Sequence, residues 1–204
     1  MMNIDWNYPP PRRGLPGALD RFCGPGATRA EVWLQIIPAL LAGLAAPAYA
    51  IFHHLGWSCA QLIVGSLLAL DLTGGIVTNS TSSGKRWYHR PGQGFRQHFM
   101  FVAIHAVHVF VVAWLFRSLD WAFFGAVSVS LLVSATVLLC TPQYLQRPLA
   151  AIFLVLAFLL NTYITTPTKG LEWFVPFLFL KLLVSHLLRE EPYRPASARA
   201  HHDN

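Results

Sequence analysis

Long apolar stretches separated by short polar turns dominate the chain, and their spacing sets the fold class. They run at about 31–54, 57–79, 97–117, 119–140, 147–166 and 170–188, each with enough residues to cross roughly 30 Å of hydrocarbon as a helix. The pattern predicts an all-α, polytopic integral membrane bundle of about six transmembrane helices over 30–189. A Pro/Gly-rich arm precedes it at 1–29 and a polar tail follows at 190–204. In the arm, Pro9-Pro10-Pro11 and Pro16-Gly17 favour an extended or irregular path, with Trp6, Tyr8 and Phe22 available to dock at the membrane interface. Disorder is expected beyond Pro195.

Within the spans, Pro38 and Pro47 predict a bent first helix. Gly74-Gly75 predicts a close backbone approach or a break near the end of the second, which the turn formers 79–84 then terminate. No short apolar region at the start resembles a cleavable signal peptide, so the N-terminus is expected to be retained.

Composition agrees with this class. Hydrophobic residues make up 54% and charged residues 12% of the chain, which excludes a typical soluble domain and a disordered one. The net charge of +6 does not point to nucleic acid, because the basic residues are divided among short loops with no continuous patch. Membrane topology accounts for them instead. Arg12, Arg13, Arg21 and Arg29, then Lys85, Arg86, Arg90 and Arg96, then Arg147, Arg189, Arg194 and Arg199 all fall on one side of a six-helix path. Arg117 and Lys169 fall on the other. The positive-inside rule therefore predicts cytoplasmic termini, and a bacterial inner membrane is the expected location. Cys23, Cys59 and Cys140 are widely separated without CxxC spacing, so free thiols are expected.

Polar side chains at membrane depth are costly, which makes them the candidates for function. His98, His105 and His108 fall at i, i+7 and i+10, angles of 0°, about −20° and about −80° on one helix, so they should share a face. His105 and His108 should lie about 10 and 15 Å deeper than His98. Asp71 is expected at their level on the second helix, and Lys181 at a comparable depth on the sixth. His89 in the basic loop and His186 near the inner end of the sixth helix could complete a site facing the cytoplasm.

Imidazole is the commonest transition-metal ligand, so His98, His105, His108 and Asp71 are the expected metal ligands, for iron or zinc, with haem ranked lower; their depths keep one ion from taking all three histidines, and the i, i+3 pair His105 and His108 with Asp71 is the set that could share one. Asp71, His89 and His186 are the expected catalytic groups. For any one of these histidines, a hydrogen bond to a neighbouring helix is the simpler account, and Asp71 pairing with Lys181 is the simpler account of the acid.

In the loop, Lys85-Arg86-Trp87-Tyr88-His89-Arg90 alternates cations and aromatics at headgroup level. A topology signal with an aromatic anchor explains it, while the sharper reading is a clamp in which Arg86 and Arg90, with Asn79, bind a lipid headgroup or anionic substrate. Ser83-Gly84-Lys85 lacks the first glycine and the final hydroxyl of a phosphate-binding loop, so no nucleotide site is expected. Asn79-Ser80-Thr81 fits a glycosylation sequon but falls on the expected cytoplasmic side. His53-His54 reads as a wet interfacial pair, and His201-His202 as incidental.

A histidine set in helical spans is similar to that of the membrane di-iron desaturases and hydroxylases. The likeness covers residues 71–108 at most, because their HxxxH and HxxHH boxes are absent and only His105-Ala106-Val107-His108 offers a close pair.

Two functions follow from the sequence. One is a metal-dependent oxidoreductase or hydrolase acting on a lipid or lipophilic substrate, with membrane lipids and a lipophilic or anionic small molecule as partners. The other is a small transporter or proton-conducting protein that uses Asp71, Lys181 and the histidine ladder and needs no metal. A haem-binding electron carrier ranks third, and a purely structural membrane protein fourth.

Overall fold

The computed structural model of the chain describes residues 2–195. Its helices are α1 (Gly14–Cys23), α2 (Arg29–Phe52), α3 (Cys59–Ser80), α4 (Ser82–Tyr88), α5 (Phe95–Ile104), α6 (Ala106–Leu115), α7 (Trp121–Cys140), α8 (Gln143–Leu159) and α9 (Phe174–Phe179). A π-helical turn, Leu160–Ile164, extends α8, and a second π-helical segment, Leu180–His186, extends α9. Among the described residues five helical rods are long and apolar enough to cross a membrane: α2, α3, α5 with α6, α7, and α8 with its π turn. The architecture is consistent with a helical membrane bundle.

Local sequence fixes the starts of these rods. Thr28 and Glu31 form a reciprocal cap, with the Glu31 amide donating to Thr28 Oγ1 (3.2 Å) and the Thr28 amide to Glu31 Oε2 (2.8 Å). Ser58 with Gln61 repeats the device at α3, and Asp120 caps α7 by accepting from the Phe123 amide. α2 runs unbroken through both prolines. Pro47 leaves the Gly43 carbonyl without its helical donor, and Ser66 on α3 supplies one through Oγ at 2.6 Å.

α3 does not break at Gly74-Gly75 either. Gly74 packs against Ala39 of α2, and a Cβ at Gly75 would occupy the path of the Lys181 side chain. The two glycines serve close approach, of a helix in one case and of a lysine in the other.

The sixth apolar stretch behaves differently from the expected span. Gly170, at φ +85°, turns the chain, and helix begins only at Phe174. Six α-helical and seven π-helical residues follow, about 20 Å of rise against roughly 30 Å of hydrocarbon. This short rod is the centre of the bundle. Phe174, Val175, Leu178, Phe179, Leu182 and Leu183 are all buried, packed with Leu72, Val102, Val109, Val127, Leu131 and Leu138 of the surrounding helices.

The arm is more ordered than its composition predicts. Met2–Ile4 pairs antiparallel with Tyr193–Pro195, so the two ends of the described chain meet. Arg189 lies over the Trp6 ring at 4.6 Å, and Tyr8 meets Trp87 edge to face at 5.5 Å. Two of the three expected interfacial aromatics therefore dock on the protein itself. His201, His202, Arg199 and the expected disordered tail lie outside the described residues.

Candidate functional site

One end of the bundle gathers α1, α4, the starts of α2, α5 and α8, the ends of α3, α7 and the central rod, and most of the arginines. It is called the basic end below. The expected histidine ladder begins there, and the helix that carries it makes a tighter turn at His105. The His105 amide turns to Val102 O at 3.0 Å, and the Phe101 carbonyl takes the imidazole Nδ1–H of His105 at 2.7 Å. The predicted residues fall into two groups at different depths.

The deeper group is built on one carboxylate oxygen. Lys181 Nζ donates to Asp71 Oδ2 at 2.6 Å, and His108 Nε2 reaches the same oxygen at 3.1 Å. Lys181 is enclosed, its side chain 4% exposed, whereas the Asp71 side chain is 44% exposed on the flank of the bundle. The ammonium thus lies inside and the carboxylate opens outward between α3 and α6. His105 stacks on His108 with centroids 4.9 Å apart and planes 12° from parallel. His108 Nδ1 is buried and has no hydrogen-bond partner among the described residues.

The second group sits nearer the basic end. His98 Nδ1 and His186 Nε2 are 3.1 Å apart, one donating and the other accepting. His89 stacks against His98 at 4.7 Å and donates its Nε2–H to the His186 carbonyl at 2.9 Å. Asn79 Oδ1 is 3.5 Å from His186 Nδ1, at the limit of a hydrogen bond. Burial, with the neighbouring His98 and Lys85 adding to it, pushes His89 down to about 3, so it is neutral at ordinary pH. Phe101 separates the two groups. Its ring stacks on His186 at 4.1 Å and tilts against His105 at 4.8 Å.

Of the predicted ligands, His105, His108 and Asp71 stay together in the deeper group, while His98 sits apart with His186 and His89. Among the described residues no group of three or more His, Cys, Asp or Glu side chains is placed to hold a metal ion.

The basic loop is helical and largely enclosed. Lys85 Nζ donates to Ser185 O and Leu188 O, each at 2.6 Å, with Glu190 at 3.7 Å, so its ammonium caps the last carbonyls of the central rod. Burial pushes this lysine down to about 8. Arg86 is buried, and Arg90 lays its guanidinium over Trp87 at 3.9 Å while donating to the Trp87 carbonyl. As placed, Arg86 does not reach a headgroup at the surface.

A separate apolar cavity of about 320 Å³ lies between α2, α3 and α9, lined by Ala42, Ala46, Ala69, Thr73, Trp173 and Phe177 among others. Ala69 and Thr73 lie about 160–200° around α3 from Asp71, so this cavity does not open on the carboxylate.

Sequence reasoning found Asp71, Lys181 and all five histidines but missed Phe101 and the role of Lys85. An aromatic inside an apolar span carries no signal of its own, and a lysine that caps a distant helix is visible only once the helices are packed. Comparison with protein families, curated proteins and solved structures finds no match to this chain.

Proposed function

We propose that this chain moves protons, or a solute coupled to them, along the path from His89 through His98, His186, His105 and His108 to Asp71 and Lys181. The observation that carries the reading is the shared Asp71 oxygen, held by Lys181 at 2.6 Å and His108 at 3.1 Å. An acid bonded at once to an ammonium and an imidazole joins the lysine to the histidines in one hydrogen-bonded unit, and ionisable groups inside a bundle serve such paths. The basic end faces the cytoplasm on this reading, following the positive-inside rule.

Proton flux into vesicles holding the purified protein, followed with an internal pH dye, tests it. Asp71→Asn should abolish the flux while leaving helicity intact. Unchanged flux in that variant, or none above empty vesicles in wild type, would overturn the reading.

A second reading keeps a metal-dependent enzyme acting on a lipid or lipophilic substrate. It is favoured by His98 Nδ1 and His186 Nε2, which lie 3.1 Å apart as two imidazoles around one ion would. Near-stoichiometric iron or zinc in protein purified without an affinity tag, lost in His186→Ala, supports it. Metal-free protein after reconstitution removes it.

A further inference from the structure

We infer that α1 is an in-plane anchor that beds its apolar stripe in the lipid leaflet at the basic end and favours anionic headgroups. The stripe is read directly from exposure. Leu15, Leu19 and Phe22, at i, i+4 and i+7, are 88%, 44% and 57% exposed, and Ala18 extends the same face. Gly17, Asp20 and Arg21 occupy the opposite side of this ten-residue helix.

The helix is not free to turn its stripe inward. The Tyr88 hydroxyl donates to the Phe22 carbonyl at 2.9 Å, and Ser83 Oγ and Gln35 Nε2 donate to the Cys23 carbonyl at 2.9 and 3.4 Å. Gly24, at φ +87°, sits so close to the Ser83 backbone that a Cβ would collide with it. These bonds tie α1 to the start of α2 and to α4 just beyond the end of α3, which is where the apolar spans give way to polar residues.

Two features select the occupant. First, the apolar surface is continuous with that of a span: only residues 24–28 separate α1 from α2, whose first turns expose Trp33, Leu34 and Ile37. Second, the exposed charge beside the stripe is mainly positive. Arg12 neutralises Asp20 at 2.7 Å, leaving Arg13 and Arg21 exposed with Arg29 close by in sequence. An apolar stripe flanked by unneutralised arginines at the level of the span ends fits an anionic leaflet rather than a protein partner.

The test uses the full chain with Cys59→Ser and Cys140→Ser, since Cys23 is buried and does not compete for label. An environment-sensitive fluorophore on Leu19→Cys is compared with one on Arg21→Cys in phosphatidylcholine vesicles carrying a shallow nitroxide lipid. The position-19 label should be blue-shifted and several-fold more quenched than the position-21 label. Adding phosphatidylglycerol should strengthen the position-19 response, and Arg13→Gln with Arg21→Gln should remove that gain. Equal quenching at the two positions overturns the anchor, as burial against a second copy or another protein would produce. A phosphatidylglycerol gain that survives loss of both arginines overturns the headgroup preference.

Discussion

The pair of Lys181 and Asp71 yields an asymmetric prediction, because one partner is enclosed and the other is not. Asp71→Asn strands an ammonium that is 4% exposed, and removing one partner of a buried pair costs about 3–5 kcal/mol. Lys181→Met leaves a carboxylate at membrane depth that His108 still holds, so part of its pairing survives and the loss is smaller, on the order of 1–2 kcal/mol. The double variant removes both charges and should return to within about 1 kcal/mol of wild type, since a neutral pair often replaces a buried ionic one without penalty. The coupling between the sites is then at least about 3 kcal/mol. For a chain of this length each kcal/mol corresponds to about 2–4 °C, so Asp71→Asn should lower the melting temperature by roughly 6–20 °C. Far-UV circular dichroism during thermal unfolding in mixed micelles measures all four proteins. Equal losses in the two single variants, or a double variant less stable than Asp71→Asn, would refute the reasoning.

Acidity should act through Lys85 and His89 in separate windows. Lys85 drops from 10.5 to about 8 on folding, so the unfolded chain binds the extra proton between those values, and the stability this residue contributes is lost as pH falls through about 8; Lys85→Met should flatten that slope in melting curves. His89 drops from 6.5 to about 3, so its contribution is complete above about 6.5 and lost on acidification towards 3, a slope that His89→Gln should remove. Phe101→Ala opens the ring-filled gap between the two histidine groups and should raise proton flux several-fold in vesicles while costing about 3–5 kcal/mol of stability; lower flux in a folded variant would count against the path. For sidedness, an impermeant thiol reagent added outside intact cells should label Cys59, at the end remote from α4, and not Cys140, at the basic end; the reverse labelling would invert the topology.

Apolar run length located five of the rods to within a few residues, because crossing hydrocarbon demands length and composition together, and both are local properties. The sixth stretch shows where that inference stops. Its residues are as apolar as the others, but a helix enclosed by protein is under no obligation to match the bilayer thickness, and Gly170 shortens it from one end. Chain ends were misread for a related reason. The pairing of Met2–Ile4 with Tyr193–Pro195 is a contact between opposite termini, and composition that merely permits an extended path says nothing about what lies beside it.

The site was legible as a list of residues and illegible as a geometry. The cost of a charge at membrane depth marks Asp71, Lys181 and the histidines individually, whichever neighbours they have. Their grouping depends on what packs around them. A helix at 100° per residue puts His98, His105 and His108 on one stripe but separates His98 from the other two by about 10 Å or more in depth, so neighbouring elements choose the partners: His98 meets His186, while His105 bonds the Phe101 carbonyl and stacks on His108. Phe101, one turn before His105, lies between the two groups. Rise along the helix already keeps His98 from sharing an ion with the deeper pair, and Phe101 fills the space between the two polar clusters, so a proton passing from one to the other must go round that ring.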